Sequence, residues 1–288
     1  MTLRTLIKTT ALTIGLLAGP ALAELDATTR AALEASINGE HRSAEEKARD
    51  TFRKPMETLE FLGFRSDMTV VEAWPGGGWY TKILAPALRE DGLFYAAAYT
   101  PNAPYGYQRR GLGQMLSTMG ETPDLFRAAK VTFFELPYAL NIAPEGSVDM
   151  VVTFRNVHNL LADYYGSGRY ADLAFEVMFD ALKPGGILGI VDHRWPDPAT
   201  EDPLAENGYI SVERTVKLAE AAGFELAAQS DLLANPRDTH NYEQGVWTLP
   251  PSLALGDKDK KKYMKIGESD RFLLKFVKPE KEENADSE

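Results

Sequence analysis

Residues 68–80 read Met68-Thr69-Val70-Val71-Glu72-Ala73-Trp74-Pro75-Gly76-Gly77-Gly78-Trp79-Tyr80. A short β-branched run leads straight into three glycines and then into aromatics. This reads as a strand over Met68 to Ala73, a tight turn, and a helix from Trp79 to Arg89. Glycines at such a turn let a ligand approach the backbone at a helix N-terminus, although a turn with no ligand needs them equally. Outward from here the alternation repeats. Strands are expected at Leu93 to Ala98, Val131 to Phe134, Val148 to Thr153, Ile187 to Val191, Phe224 to Ser230 and Phe272 to Val277. Helices are expected between them around Gln108–Met119 and Pro123–Ala128, at Tyr170 to Leu182, and at Ser211 to Ala222. The Lys183-Pro184-Gly185-Gly186 break should stop the third of these. Apolar strands alternating with amphipathic helices predict a mostly parallel, doubly wound sheet covered on both faces. Ligands of such sheets bind beyond the carboxyl ends of the strands.

Upstream, short helices are expected at Ala27 to Ile37, at Ala44 to Arg49 with Ser43 as N-cap, and at Pro55 to Leu62 closed by Gly63. Residues 1–23 have the three parts of a secretory signal peptide. Arg4 and Lys8 form a basic start, Ala11 to Gly19 an apolar core, and Ala21-Leu22-Ala23 a cleavage site. That core is too short for a transmembrane helix, which needs about 20 residues. Removing Arg4 and Lys8 with the leader moves the formal charge from −11 to −13. The expected domains are therefore 1–23 signal peptide, 24–66 N-terminal helical segment, 67–278 α/β domain and 279–288 disordered tail. The mature protein is expected to be exported, to a periplasm or its equivalent. With no Cys there are no disulfides, thiolate metal sites or Cys nucleophiles. The acidic balance excludes a nucleic-acid surface, and the basic run Lys258 to Lys262 reads as a solvated cluster in a loop.

Three motifs carry a resemblance. Glu72-x-Trp74-x-Gly76-x-Gly78 resembles the first motif of class I S-adenosylmethionine-dependent methyltransferases. Ala181-Leu182-Lys183-Pro184-Gly185-Gly186, leading into Ile187 to Asp192, resembles that family's later Leu-Lys-Pro-Gly-Gly motif. Ser147 to Val152, followed by Asn156-Val157-His158, resembles its fourth-strand motif. The signatures Trp-Pro-Gly-Gly-Gly-Trp-Tyr, Arg-Asn-Val-His-Asn and Gly-Glu-Ser-Asp-Arg are similar to those of a group of exported, predicted methyltransferases. The resemblance implies a Rossmann-like seven-stranded sheet with an antiparallel last strand, S-adenosylmethionine over the first two strands, and a small-molecule substrate. Glu72, Trp74, Gly76, Gly77, Gly78, Tyr99, Arg155 and Asn156 fall at its cofactor positions. Two departures stand out. Trp74 replaces the motif's first glycine. The carboxylate that grips the ribose at the end of the second strand has no counterpart at Ala98 or Tyr99.

The chain has four His, and His158, His193 and His240 fall in three turns expected on one rim. His158 or His193 could act as general base, with Asp192 orienting His193. The set His158, Asp192, His193 and His240 could alternatively bind a divalent metal, although no spacing motif supports that and no metal site is assigned. Arg155 and Arg194 would suit an anionic substrate group, or surface ion pairs. Asp270 and Arg271, beside the last strand, are expected as a fixing ion pair first and as a substrate contact second. Tyr242, Trp247, Trp195 and Trp79 could wall an aromatic pocket. Three functions remain: an exported methyltransferase acting on an O or N nucleophile, a ligand-binding protein that kept the fold without transferase activity, and a metal-dependent hydrolase. The oligomeric state is not legible in the sequence.

Overall fold

A computed structural model describes residues 24–163 and 166–280. The leader expected over 1–23 and most of the expected tail lie outside them. Seven strands form one sheet: β1 (Thr69–Ala73), β2 (Leu93–Ala98), β3 (Ala129–Phe133), β4 (Val148–Phe154), β5 (Leu182–His193), β6 (Glu225–Ser230) and β7 (Arg271–Val277). Their spatial order is β3-β2-β1-β4-β5-β7-β6. The pairs from β3 across to β5 are parallel, while β7 runs antiparallel to both β5 and β6. The Rossmann-like sheet with an antiparallel last strand is therefore present. Winding reverses between β1 and β4, and there the crossovers leave a crevice over the strand ends.

The strand period of two divides the core between two layers. On one face, Val71, Ala73, Tyr95, Val151, Ile190 and Phe276 pack under α7 (Ala171–Ala181) and α8 (Val212–Ala221). On the other, Val70, Phe94, Ala96, Met150 and Val152 pack under α5 (Thr81–Leu88). Four N-terminal helices, α1 (Ala27–Asn38), α2 (Ala44–Ala48), α3 (Asp50–Arg53) and α4 (Pro55–Leu62), belong to this second layer, where Leu33, Leu59 and Leu62 join the same core. Ser43 and Glu46 form the reciprocal cap expected of α2, and Gly63 ends α4 at φ 80°. α6 (Gly106–Glu121) follows β2.

Two expectations are corrected. Lys183–Gly186 does not separate helix from strand. β5 already pairs at Leu182, and the pairing then jumps from Val148↔Leu182 to Met150↔Ile187, so the Pro-Gly stretch bulges out of the ladder. The Lys258–Lys262 run is not all loop, because α9 (Lys260–Ile266) starts within it behind Asp259, held at φ 53°. No helix among the described residues is long and apolar enough to cross a membrane.

Candidate functional site

A pocket of about 640 Å³ opens on the carboxyl rim at the β1/β4 switch. The turn after β1 supplies Trp74, Gly76 and Gly77, and the turn after β4 supplies Arg155, Asn156, His158 and Asn159. His193 ends β5, Arg271 begins β7, and Trp79, Arg49 and Trp247 close the sides. Of the four aromatics expected to wall a pocket, Trp79 and Trp247 do so. Trp195 packs near Tyr209 and His240, and Tyr242 packs edge-on to Tyr263.

His158 pairs with Asp192 at the pocket wall. Its Nδ1 lies 2.8 Å from Asp192 Oδ1, and its backbone N–H donates to Asp192 Oδ2 at 3.1 Å. A carboxylate at Nδ1 takes that nitrogen's proton in a hydrogen bond and leaves Nε2 with the lone pair, the form a base needs. The pairing expected of Asp192 with His193 is corrected. Neighbours on a strand point to opposite faces, so Asp192 reaches only the backbone N–H of His193, at 2.7 Å. The His193 ring turns instead to Ser269, with Nδ1 2.5 Å from its Oγ. Arg271 Nε donates to the same Oγ at 3.3 Å, so Ser269 ties the His193 ring to the guanidinium. Burial first, with the nearby Arg271 guanidinium adding to it, holds His193 well below its ordinary pKa and favours its neutral form. The two rings lie 5.3 Å apart. His240 does not join them: Tyr209 stands between, 6.1 Å from His193 and 5.1 Å from His240, and His240 faces Asp270.

Beside the histidines sits a group of guanidiniums. Glu268, 2% exposed, accepts from Arg49 Nε at 2.6 Å, from Arg53 Nε at 3.1 Å and from Arg271. Burial alone would raise its carboxyl, but Arg271, Arg53 and Arg49 outweigh that and hold it well below the usual carboxylate range. Arg271 thus pairs with Glu268, not with Asp270 as expected. Asp270 takes Arg194, which also pairs with Asp231 and so serves structure rather than the pocket. Arg155, at φ 63°, makes no side-chain hydrogen bond or ion pair among the described residues, and its Nε is buried without a partner. Burial, reinforced by the charge of Arg271, pushes it down to about 10.

The expected cofactor residues divide. Glu72, 2% exposed, does not reach the glycines; it accepts from Thr81 Oγ1 at 2.6 Å and pins the start of α5. Burial, against the Thr81 hydrogen bond and Arg53, raises its pKa to about 7. Asn156 clamps the ends of β1 and β4 by donating to Trp74 O and Phe154 O. Gly76, at φ 58°, has open space where a Cβ would stand. Helix α6 covers the rest of the turn: a Cβ on Gly111 would meet Gly76 backbone at 3.1 Å, while one on Gly78 would touch Met115 and Thr81. Trp74, only 4% exposed, holds φ 55°, and its ring stacks on Phe134 with centroids 4.3 Å apart and planes 6° from parallel. Its Nε1 donates to Phe134 O at 2.8 Å, and Tyr99 flanks it at 6.3 Å. The indole therefore fills the ground above the ends of β2 and β3. The nearest carboxylate there, Glu135, is engaged by both Thr100 N and Thr100 Oγ1.

The architecture has many solved counterparts. A SAM dependent methyltransferase from Aquifex aeolicus superposes with a TM-score of 0.52 at 16% identity, over 80% of this chain and 93% of its own. The fold is that of the class I S-adenosylmethionine-dependent methyltransferases. Phosphoethanolamine N-methyltransferase 2 of Haemonchus contortus, solved with S-adenosylhomocysteine, gives 0.51 at 14% identity over 86% of this chain and 61% of its own. The [4+2]-cyclase SpnF gives 0.52 at 16% identity over 91% and 99%, so the same fold also houses a protein described by a cyclisation. No protein-family model matches the chain, and neither does any curated protein.

Sequence reasoning missed Arg49, Arg53 and the pairing role of Glu268. The readable signal was Arg49 and Arg53 one helical turn apart, with the apolar Phe52 beside them.

Proposed function

We propose that this chain is an exported small-molecule enzyme on the methyltransferase fold. Its rim pocket takes a substrate with a hydroxyl or amine, and His158 removes the proton from that nucleophile. The observation that carries the reading is the His158–Asp192 pair opening on a roomy pocket at the switch point of the sheet. His193, its neutral form favoured by burial, lies beside it with ring centroids 5.3 Å apart. Methyl transfer is the reaction class that the fold supports, and the leader read over 1–23 supports export.

S-adenosylmethionine, the donor implied by the fold, would supply an electrophilic methyl group. Gly76 and Gly77 border the pocket; Gly76 leaves open space for its amino-acid end, while Gly77 faces Gln114. The nucleoside half does not fit: Trp74 occupies its place against Phe134, and neither Ala98 nor Tyr99 carries a carboxylate for the ribose. No step is therefore routed through the donor. Trp74 favours a second reading, a ligand-binding protein that kept the fold without transferase activity. The metal-dependent reading, on His158, Asp192 and His193, meets an electrostatic objection. Both Asp192 oxygens are already engaged, and the guanidiniums beside the cluster oppose a dication.

Calorimetric titration of the purified protein with S-adenosylmethionine and S-adenosylhomocysteine separates the readings. Saturable heat with both supports the transferase. No heat with either, together with a small molecule retained in native mass spectrometry, favours the binding protein.

A further inference from the structure

The chain is strongly acidic overall, with a formal charge of −11. Yet Arg49, Arg155 and Arg271 line one pocket, Arg53 stands behind them, and the carboxylate that pairs within this group is Glu268. Glu268 gives both oxygens to three of these guanidiniums and leaves Arg155 with none. The unmatched groups can be named: Arg155 Nε, Arg49 Nη2 and Arg53 Nη2 are all buried without a hydrogen-bond partner. A folded chain rarely leaves buried guanidinium nitrogens unpaired, because each gave up its water on folding. Glu46 also lines the pocket but is tied to Lys82 Nζ at 2.8 Å, so four guanidiniums against Glu268 leave room for a ligand of two negative charges. Guanidiniums also present paired N–H groups that match the oxygens of phosphate or carboxylate. Trp79, Trp247 and Phe154 add flat, apolar faces to the same wall.

We propose that the rim pocket binds a small dianion, its phosphate or paired carboxylates held by Arg155 with Arg271 and Arg49 and its body lying against Trp79 and Trp247. This deepens the reading of the pocket as the substrate site by naming the class of substrate. Asn156 fixes the turn that aims Arg155, since its amide bonds to carbonyls on both sides of the crevice. The φ of 63° at Arg155 is a conformation that side chains other than glycine seldom adopt, and it places this guanidinium on the pocket side of β4. The anion would sit next to His158, so that a hydroxyl or amine a few bonds away in the same molecule could meet Nε2.

The test uses phenyl phosphate, with benzyl alcohol and benzylammonium as neutral and cationic controls of similar shape, read by tryptophan fluorescence and thermal unfolding of the full chain. Expected is saturable binding of phenyl phosphate that weakens as salt rises, with neither control binding comparably. Arg155→Gln should weaken it at least tenfold while leaving the unfolding temperature of the free protein unchanged or higher, because Arg155 makes no side-chain hydrogen bond or ion pair among the described residues. Arg155→Lys keeps the charge without the fork, should fall between the two, and serves if the Gln variant misfolds. Equal binding by Arg155→Gln, comparable binding of either control, or no saturation by phenyl phosphate overturns the proposal. The readout needs no donor and no turnover. Phosphate binding without any response to S-adenosylmethionine would sink the transferase alone, and the reverse would sink this inference alone.

Discussion

Replacing Trp74 by glycine restores the residue that the methyltransferase motif carries at this turn, and its consequences can be worked out from the structure. The indole is almost fully buried, stacked on Phe134 and hydrogen-bonded to its carbonyl. Removing a buried Trp side chain costs about 3–5 kcal/mol in lost transfer energy and cavity. Against this stands the backbone: Trp74 holds φ 55°, where a side chain costs about 1 kcal/mol that glycine does not incur. Trp74→Gly should therefore lose roughly 2–4 kcal/mol, and Trp74→Ala roughly 3–5, so the smaller residue is the better tolerated. For a domain of this size the Gly variant should melt about 5–15 °C lower. The vacated space above β2 and β3 should then admit a nucleoside. S-adenosylhomocysteine should bind the Gly variant more tightly than the wild type, and at a hundredfold excess over Kd it should return about 2.7 kcal/mol of stability. Calorimetry and melting curves on the three proteins check this. Wild-type affinity equal to or above that of the variant would refute the view of Trp74 as an occupant, and an Ala variant more stable than Gly would refute the backbone argument.

Other outcomes follow from the buried carboxylates and from one loop. Glu72, raised to about 7 by burial, favours folding most below its unfolded value of about 4.5 and loses that contribution as pH rises through 7. Urea midpoints for Glu72→Gln against wild type should therefore drift in favour of Gln by up to about 3 kcal/mol between pH 4.5 and 8; a flat difference contradicts the raised pKa. Glu268 has the opposite sign, because its depressed carboxyl stabilises above the ordinary carboxylate range and ceases to as pH falls below it. Glu268→Ala should cost about 3–5 kcal/mol at neutral pH by stranding Arg53 and Arg271, and denaturation showing under 1 kcal/mol would count against the cluster. Gly245 holds φ 51° with Asn207 O only 2.1 Å from where a Cβ would stand, so Gly245→Ala should lose more than about 2 kcal/mol and loosen the loop that carries Trp247, visible as altered tryptophan fluorescence.

Much of the fold could be read along the chain because its signals are local. Leu93 to Ala98 is a strand at those bounds, and Pro55 to Leu62 is a helix stopped by a left-handed glycine. The apolar β1 run and its glycines marked a strand and its turn from sequence neighbours alone. What failed was pairing between side chains. Asp192 and His193, like Asp270 and Arg271, looked like partners because they are adjacent, yet adjacency on an extended chain turns side chains apart. Asp192 found its partner across the sheet, on His158 after β4, and Arg271 found Glu268 three residues back along its own approach to β7. Trp74 was visible as a departure from a motif, but only the ring's place on Phe134 says what it fills. Helix α9 was missed because no side chain caps its start.

The meeting of Glu268 with Arg49 and Arg53 has a consequence for when this site comes into being. The partners stand 219 and 215 positions apart, one near the start of the described chain and the other just before its last strand. Loops of that length close late, after the local strand–helix units have formed. The cavity therefore does not exist in a chain still being made, nor in one that has lost β7, however well the remaining sheet is built. A ligand held by Arg49, Arg155 and Arg271 would bridge both ends of the polypeptide, and so would act as a clasp against unfolding from either terminus.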